Sequence, residues 1–523
     1  MLPLVIPRIT SLADLVRIAA ARYPAAIAIE HDRGRMSYGE FWDGSLRLAN
    51  ALLARGLKAG DRVTLFAQNC PEYLQSYVGL QLAGLVAVPA NYRLTPLELF
   101  YILDNSGSSC LLIGEEFLPH LKQLQENGKK IPGIVFVFGH VAYHENAFER
   151  AVAAASSSIP VRMTGLNDPA AIFYTSGTTG FPKGAVMSHA VILSRFSSWG
   201  WRYGITEEEV TLVPGPVFHQ SFGAISLITL CVGGKLILRR EFKPEAALED
   251  LVYHGITWSF LVPTMLGDLV KAANDGSKTL KLPRLRGLMS SGSRLQLPMI
   301  EGFETAFPNA SLADSYGWTE SGWITYCAHD EILASDRSVG RASFGCELTI
   351  LDEYGQELPR GREGTIYACN PIPFLGYHEN QDATRAMRTG HWETGGDVGF
   401  MDERGFLQIL DRKKDIIVSG GENIYPAEIE RVLADHPKIL EVAVVGVPDE
   451  KWGESPRACV VACSGESLTI EEVVAFCDGK IARFKHPRSL FTLDALPRNS
   501  MGKVLRRELR EQFWNTLKKL ETQ

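Results

Sequence analysis

The residues with the clearest chemical use stand in the string YTSGTTGFPKG, Tyr174 to Gly184, directly after the apolar run AAIFY. A strand that opens into Thr175, Ser176, Gly177, Thr178 and Thr179 can turn its backbone so that successive N–H groups converge on an anion, with hydroxyls as further donors. Lys183 adds a mobile positive charge suited to phosphate oxygens. The G-x4-G-K-[ST] spacing of a Walker A loop is absent. A bare GTTG would read as a flexible loop, whereas the longer string with Pro182 and Lys183 in place points to phosphate binding. Other residues offer chemistry without local proof. Glu320 is a hard-oxygen ligand by type. Asp397 follows two glycines and reads locally as a turn. His219 follows a phenylalanine and reads as a core residue, and Lys503 opens a basic amphipathic helix. From Lys480 to Arg510 nine Lys or Arg stand against two acids, Asp494 and Glu508. That is a solvated face or a docking edge for a polyanionic ligand.

Elements must hold these groups in place. In the first half, SLRLANALLARGLKAG reads as an amphipathic helix, DRVTLFAQN as a strand, PEYLQSYVGLQLAGL as a helix and VAVPAN as a buried strand. The same alternation recurs between about residues 170 and 320, which predicts doubly wound parallel sheets with helices on both faces. From about residue 340, strands joined by polar turns predict an antiparallel β subdomain. The charge cluster DRKKD, Asp411 to Asp415, reads as a solvated turn or a domain boundary. A compact α+β segment follows it. The predicted fold class is α/β: a large N-terminal domain of doubly wound sheets plus an antiparallel subdomain, with a small mobile α+β C-terminal domain.

The string at Tyr174–Gly184 resembles the phosphate-binding signature of the adenylate-forming superfamily, which includes acyl-CoA synthetases, firefly-type luciferases and peptide-synthetase adenylation domains. The likeness continues in order over roughly the whole chain. SYGWTES, Ser315 to Ser321, is similar to the adenine and magnesium motif. This implies that Ser315 and Tyr316 meet adenine, Thr319 phosphate, and Glu320 the Mg2+ on ATP. GGDVGFMDERGFLQILDRKKD is similar to the ribose region, with Asp397 and Arg412 as ribose contacts. Relatives usually have Thr-Gly-Asp or Thr-Ser-Asp there. Here Gly395 takes the Thr place and Thr394 stands one residue earlier, so either Thr394 shifts into the role or a hydrogen bond is missing. PRNSMGKVLRREL resembles the C-terminal motif whose lysine, here Lys503, binds carboxylate and adenylate. Gly420 and Gly421 in VSGGENIYPAEIE resemble part of a CoA tunnel. Lys485 and Arg488 in FKHPR resemble a CoA-nucleotide contact. Lys414 falls at the family's hinge. The resemblance divides the chain into an AMP-binding domain at 1–411, a hinge at 412–414 and a domain carrying the catalytic lysine at 415–523.

PGPVFHQSFGAIS matches the motif that places His219 near the substrate carboxylate. Relatives that activate amino acids carry an Asp just after the Phe, and no Asp occurs from Val213 to Lys235. The expected activity is therefore an ATP-dependent carboxylate:CoA ligase that uses ATP, Mg2+ and coenzyme A. Phe196, Trp199, Trp201, Phe222, Ser291, Gly292, Ser293, Trp318 and Trp323 are the expected pocket, so the expected acid is hydrophobic, aromatic or medium-chain aliphatic. Arg202 and Arg294 keep a dicarboxylate such as malonate in play. Two competing activities are an adenylate-forming enzyme with a carrier-protein thiol as acceptor and a non-catalytic nucleotide-binding relative. Intact Lys183, Glu320, Asp397, Arg412 and Lys503 speak against the non-catalytic one.

Composition bounds the rest. The 523 residues exceed one ordinary core. A net charge of −7 disfavours nucleic-acid binding. Nine scattered cysteines argue against a disulfide framework and for a reduced, cytoplasmic setting. The N-terminus lacks the pattern of a signal peptide. No apolar stretch reaches the ~20 residues of a spanning helix. The expected partners are the acid, ATP and CoA, with a homodimer left open.

Overall fold

The computed structural model describes residues 9–139, 147–160, 164–175, 182–275, 282–293, 295–335, 338–412, 415–419, 422–449, 452–478, 480–499, 502–511 and 513. The chain forms two compact units, one of residues 1–347 with 369–391, the other of 348–368 with 392–523.

The first unit holds two seven-stranded sheets. One runs in the order Ser311–Ser315, Gly287–Ser291, Trp258–Leu261, Val210–Val213, Lys235–Leu238, Ile27–His31, Gly34–Ser37. Its strands are parallel up to the closing hairpin. The other runs in the order Gly376–Tyr377, Lys183–Ser188, Pro169–Thr175, Val86–Pro89, Arg62–Phe66, Cys110–Gly114, Ile134–Phe138. Its inner strands are parallel, and Val86–Pro89 and Cys110–Gly114 are buried throughout, which is why they read as apolar runs. The predicted doubly wound architecture is present. Helix Pro71–Ala83 is buried at every position and ends on Gly84 in the left-handed region at φ 72°. It packs against helices Leu12–Arg22, Tyr38–Ala54 and Gln220–Val232. Its polar residues are buried with partners: Glu72 pairs with Arg33 at 2.6 Å, the Ser76 hydroxyl donates to the Glu72 carbonyl at 2.7 Å, and Gln75 donates to the Phe41 carbonyl at 3.3 Å.

The second unit holds two antiparallel arrangements. Gly364–Cys369, Asp397–Met401 and Leu407–Arg412 pair in turn, as the polar turns between them predict. Beyond them the long hairpin of Ile439–Asp449 and Gly453–Ala462 is flanked by Ile417–Ser419 and by the parallel strand Ser489–Thr492. Period-2 alternation splits this hairpin between two cores. Val444, Ala458 and Val460 meet helices Pro426–Leu433 and Ile470–Cys477, while Val445, Val447, Cys459 and Val461 meet Leu496 and Leu509.

The DRKKD cluster is not a solvated turn at its ends. Asp411 and Asp415 are both buried. The Asp411 carboxylate accepts from the Arg412 and Ala427 N–H groups at 2.7 and 2.9 Å, so it caps the start of helix Pro426–Leu433. Asp415 pairs with Arg510 at 3.3 Å. Lys413 and Lys414 lie outside the described residues.

Candidate active site

In the first unit the phosphate-loop string does not lead from a strand into a helix. Pro169–Thr175 and Lys183–Ser188 pair antiparallel, and the last matched pair is Thr175 opposite Lys183. Ser176, Gly177, Thr178 and Thr179 lie outside the described residues, but their two ends are held together. The Thr175 hydroxyl donates to the Lys183 carbonyl at 3.4 Å, and the Tyr101 hydroxyl donates to the Pro182 carbonyl at 2.9 Å. The strand Gly376–Tyr377 adds to the outer edge, with Tyr377 opposite Ala185. This register places the Lys183 ammonium 5.5 Å from the Tyr377 ring centroid. The Tyr377 hydroxyl donates to Oε1 of Glu320. One tyrosine therefore links the loop lysine to the carboxylate expected to hold a metal. Sequence reasoning missed Tyr377, because a Gly–Tyr pair in a turn has no local signature.

SYGWTES folds as the end of strand Ser311–Ser315 followed by a tight hairpin, Gly317–Trp318 against Gly322–Trp323. A Cβ at Gly317 would lie 1.7 Å from the Gly322 carbonyl oxygen, so only glycine fits. The Ser315 hydroxyl is bonded to the Tyr203 hydroxyl at 2.7 Å. Tyr316 is half-buried, with its N–H on the Thr325 hydroxyl at 2.9 Å. Trp318 stands edge-on to Tyr316, with ring centroids 5.9 Å apart. Thr319 is half-buried and Glu320 is buried. The Thr319 and Glu320 carbonyls accept from the guanidinium of Arg195, itself buried on helix His189–Arg202.

His219 caps helix Gln220–Val232, its Nδ1 accepting from the Ser221 N–H at 3.3 Å. That bond assigns the ring proton to Nε2. Burial pushes the imidazole pKa down to about 4, so it is a neutral donor near pH 7. The expected acyl pocket is partly core. Phe222 is 1% exposed and packs edge-on against Phe260, with centroids 4.9 Å apart. Trp323 packs on Trp199 at 4.4 Å and on Phe260 at 5.6 Å. Gly292 and Ser293 are exposed. Trp201 is exposed against Phe344. A narrow cavity remains, lined by Ile192, Phe196, Trp199, Gln220, Gly223 and Ala224 among others. Arg202 is exposed and lies 3.8 Å from the Tyr326 ring centroid, while Arg294 lies outside the described residues.

In the second unit Asp397 and Arg412 are direct cross-strand partners, with Nε of Arg412 3.2 Å from Oδ1 of Asp397. The Thr394 hydroxyl donates to the Ile366 carbonyl at 2.7 Å and accepts from the Gly396 N–H at 3.0 Å. Thr394 therefore shapes the turn before Asp397. Gly396, at φ 80°, occupies a conformation that favours glycine. Lys503 is presented by a turn in which its N–H bonds the Asn499 side chain at 2.9 Å and Gly502 takes φ 75°. Its side chain remains accessible to water. Surrounding protein mass, then the nearby Arg412 guanidinium, lowers its pKa toward about 8, while Asp397 acts the other way. Arg506 beside it is tied to Glu430 and Asp411, at 2.5 and 3.8 Å.

The chain has known counterparts. Residues 16–378 match the model of the AMP-binding enzyme family, and residues 428–503 match the AMP-binding enzyme C-terminal domain. The chain belongs to the AMP-binding enzyme family. Among similar members, the 2-succinylbenzoate–CoA ligase of Bacillus cereus is 34% identical over 490 residues, 93% of this chain and 96% of that protein. The feruloyl-CoA synthase of an Amycolatopsis species is 32% identical over 495 residues, 94% of this chain and 96% of that protein. The solved structure of o-succinylbenzoate coenzyme A synthetase (MenE) from Bacillus subtilis with ATP and magnesium ion superposes with a TM-score of 0.83 at 28% identity. The alignment covers 95% of this chain and 98% of that one.

As an AMP-binding enzyme the chain needs a place for Mg2+ on nucleotide phosphates. Magnesium takes one or two carboxylates, phosphate oxygens and water. Glu320 fits that role, buried and oriented by Tyr377. The expected CoA contacts are less open. Lys485 is paired with Glu428 at 2.7 Å, Arg488 lies over the Trp452 ring at 4.8 Å, and Gly420 and Gly421 lie outside the described residues.

Proposed function

We propose that this chain, an ATP-dependent acid–thiol ligase, joins a hydrophobic carboxylic acid to coenzyme A in two steps. In the first, a carboxylate oxygen attacks the α-phosphorus of ATP, an O–P bond forms, and pyrophosphate leaves. In the second, the CoA sulfur attacks the acyl carbon, a C–S bond forms, the thiol proton goes to solvent, and AMP leaves. The observation that carries this reading is the cross-strand pair of Asp397 and Arg412, Oδ1 to Nε 3.2 Å, in the same unit as the water-accessible Lys503. Asp397 and Arg412 hold the ribose, and the Lys503 ammonium is the cation that two approaching anions require. Thr175, Ser176, Gly177, Thr178, Thr179 and Lys183 hold the phosphates. Ser315 and Tyr316 hold adenine, and Thr319 contacts phosphate. Glu320 would hold Mg2+, which offsets phosphate charge when bound. The neutral His219 donates through Nε2 to the carboxylate end of the acid. Gly420, Gly421, Lys485 and Arg488 are kept as the CoA contacts, the latter two requiring exchange of their present partners.

The two steps need different groups over one centre, so the division at 1–411, 412–414 and 415–523, with Lys414 as hinge, is part of the same reading. A homodimer and a cytoplasmic location complete it, checked by light scattering and by cell fractionation. All nine cysteines are free thiols, as a reducing compartment requires. No helix among the described residues is long and apolar enough to cross a membrane.

We assign the chain an aromatic or medium-chain aliphatic acid, supported by the apolar side chains of Ile192, Phe196, Trp199 and Ala224 around a cavity of about 30 Å³ that must widen to admit it. Trp318, Gly292 and Ser293 are kept as further contacts of the acid. Phe222 and Trp323 support the cavity walls from the core. Incubation with ATP, CoA and a panel of acids, with AMP and thioester as readouts, should rank benzoate-type, cinnamate-type and C6–C12 acids above acetate and malonate in kcat/KM. Malonate or acetate at the top would overturn the assignment. AMP release without thioester, restored by a carrier-protein thiol, would move the acceptor.

The lowered Lys503 pKa sets a pH dependence. The ammonium form is required, and its fraction falls as pH rises through the pKa. Adenylation should therefore decline along an alkaline limb with a midpoint below the ordinary lysine value of 10.5, displaced toward 8. Thioester formation from preformed acyl-adenylate should lack that limb. A profile flat to about pH 10, the range of an ordinary lysine, would detach Lys503 from the first step.

A further inference from the structure

A buried arginine without an assigned role stands between the acyl cavity and the magnesium motif. Arg195 lies on helix His189–Arg202, is 6% exposed, and lines the cavity beside Gln220 and Trp199. Its Nη1 donates to the Thr319 carbonyl at 3.3 Å, and its Nη2 donates to the Glu320 carbonyl. Gln220, in the amide orientation that satisfies both neighbours, donates to the same Thr319 carbonyl at 3.0 Å and accepts from Arg195 Nη1 at 2.9 Å. Two successive peptide oxygens of the hairpin are thus held from the cavity side by a rigid planar fork and an amide. The Glu320 carboxylate is engaged separately, by Tyr377.

We infer that Arg195, assisted by Gln220, is a positioning residue that sets the Thr319–Glu320 peptides and thereby couples the wall of the acyl cavity to the group that takes Mg2+. The reason is geometric. Only a guanidinium presents parallel donors at the spacing of adjacent carbonyls; a lysine ammonium offers a single point charge. Pinning the peptides restricts the backbone from which the Thr319 hydroxyl and the Glu320 carboxylate extend. The same side chain also lines the space that the acid must fill, so filling that space bears directly on the magnesium motif. This inference rests on the assignment of Glu320 to Mg2+.

The test compares Arg195→Met, Arg195→Lys and Gln220→Leu with Glu320→Gln, in the full-length enzyme. Pyrophosphate release is measured against Mg2+ at saturating ATP and acid. The expected result for Arg195→Met is a rise of about tenfold in half-saturating Mg2+, equivalent to ~1.4 kcal/mol. Turnover of preformed acyl-adenylate with CoA, whatever its level in the variant, should remain independent of Mg2+. Arg195→Lys and Gln220→Leu, which each keep part of the fork, should fall between. Should Arg195→Met prove too unstable to assay, these two variants decide the matter by the same shift. A shared loss of both half-reactions with unchanged Mg2+ dependence would overturn the inference and leave Arg195 a packing residue. If Glu320→Gln shifts the Mg2+ dependence and the Arg195 and Gln220 variants do not, the coupling alone fails. If Glu320→Gln also leaves it unchanged, the magnesium assignment fails first.

Discussion

Lys503→Ala is expected to slow acyl-adenylate formation by roughly 10²–10³-fold, the loss typical of removing one preorganised charge-stabilising donor. Thioester formation from preformed acyl-adenylate should be nearly spared. In the first step a carboxylate approaches a phosphate, and a cation between them is worth most as the two charges meet. In the second step the adenylate already exists, and the nucleophile is a thiol that displaces AMP. The fold supports the substitution, since Lys503 sits on a turn held by Asn499 and Gly502 and its side chain is accessible to water. Stability should therefore change little. Pyrophosphate release and CoA-dependent AMP release, assayed separately, provide the readout. Equal loss in both would place Lys503 in general scaffolding. Acetylation of Lys503 removes the same charge and should reproduce the alanine phenotype.

Asp397→Asn should raise the KM for ATP by roughly ten- to a hundredfold, since hydrogen bonds to a charged acceptor contribute about 1.5–3 kcal/mol. A second consequence follows from the electrostatics around Lys503. Asp397 favours its ammonium form, while the surrounding protein mass and Arg412 oppose it. Removing the Asp397 charge lowers the lysine pKa further, so the alkaline limb of adenylation should move to lower pH. A variant that merely perturbed the strand would weaken activity without moving the limb. Unchanged KM for ATP would remove Asp397 from the ribose site. Its cross-strand register with Arg412 makes Arg412→Gln a useful companion, because loss of that guanidinium should shift the limb the opposite way.

Local chemistry was legible wherever a residue type admits few uses. Only the Thr, Ser and Gly run with Lys183 pointed to a use by residue type and spacing; Glu320, Asp397 and Lys503 were singled out by their resemblance to family motifs that occur in order. The alternation of helix and strand was legible too, since the two elements repeat their apolar positions with different periods. Helix Pro71–Ala83 was legible as a helix, but its burial at every position, Glu72, Gln75, Ser76 and Gln81 included, was not.

The burial of particular rings was decided only in three dimensions. Phe222 and Trp323 carry the same local signal as Phe196, but only packing against Phe260 and Trp199 sends them to the core. The DRKKD cluster shows the converse. Five charged residues in a row suggest solvent, yet the Asp411 carboxylate is buried because helix Pro426–Leu433 begins beside it with N–H groups to satisfy. Tyr377 and Arg195 were invisible for the same reason. Each acts on Glu320 from a distant part of the chain, through its carboxylate or its carbonyl. Residue type and spacing determine which groups can carry charge or donate a proton. Which of them meet depends on sheet register and helix packing, which are non-local and leave no periodic trace in the sequence.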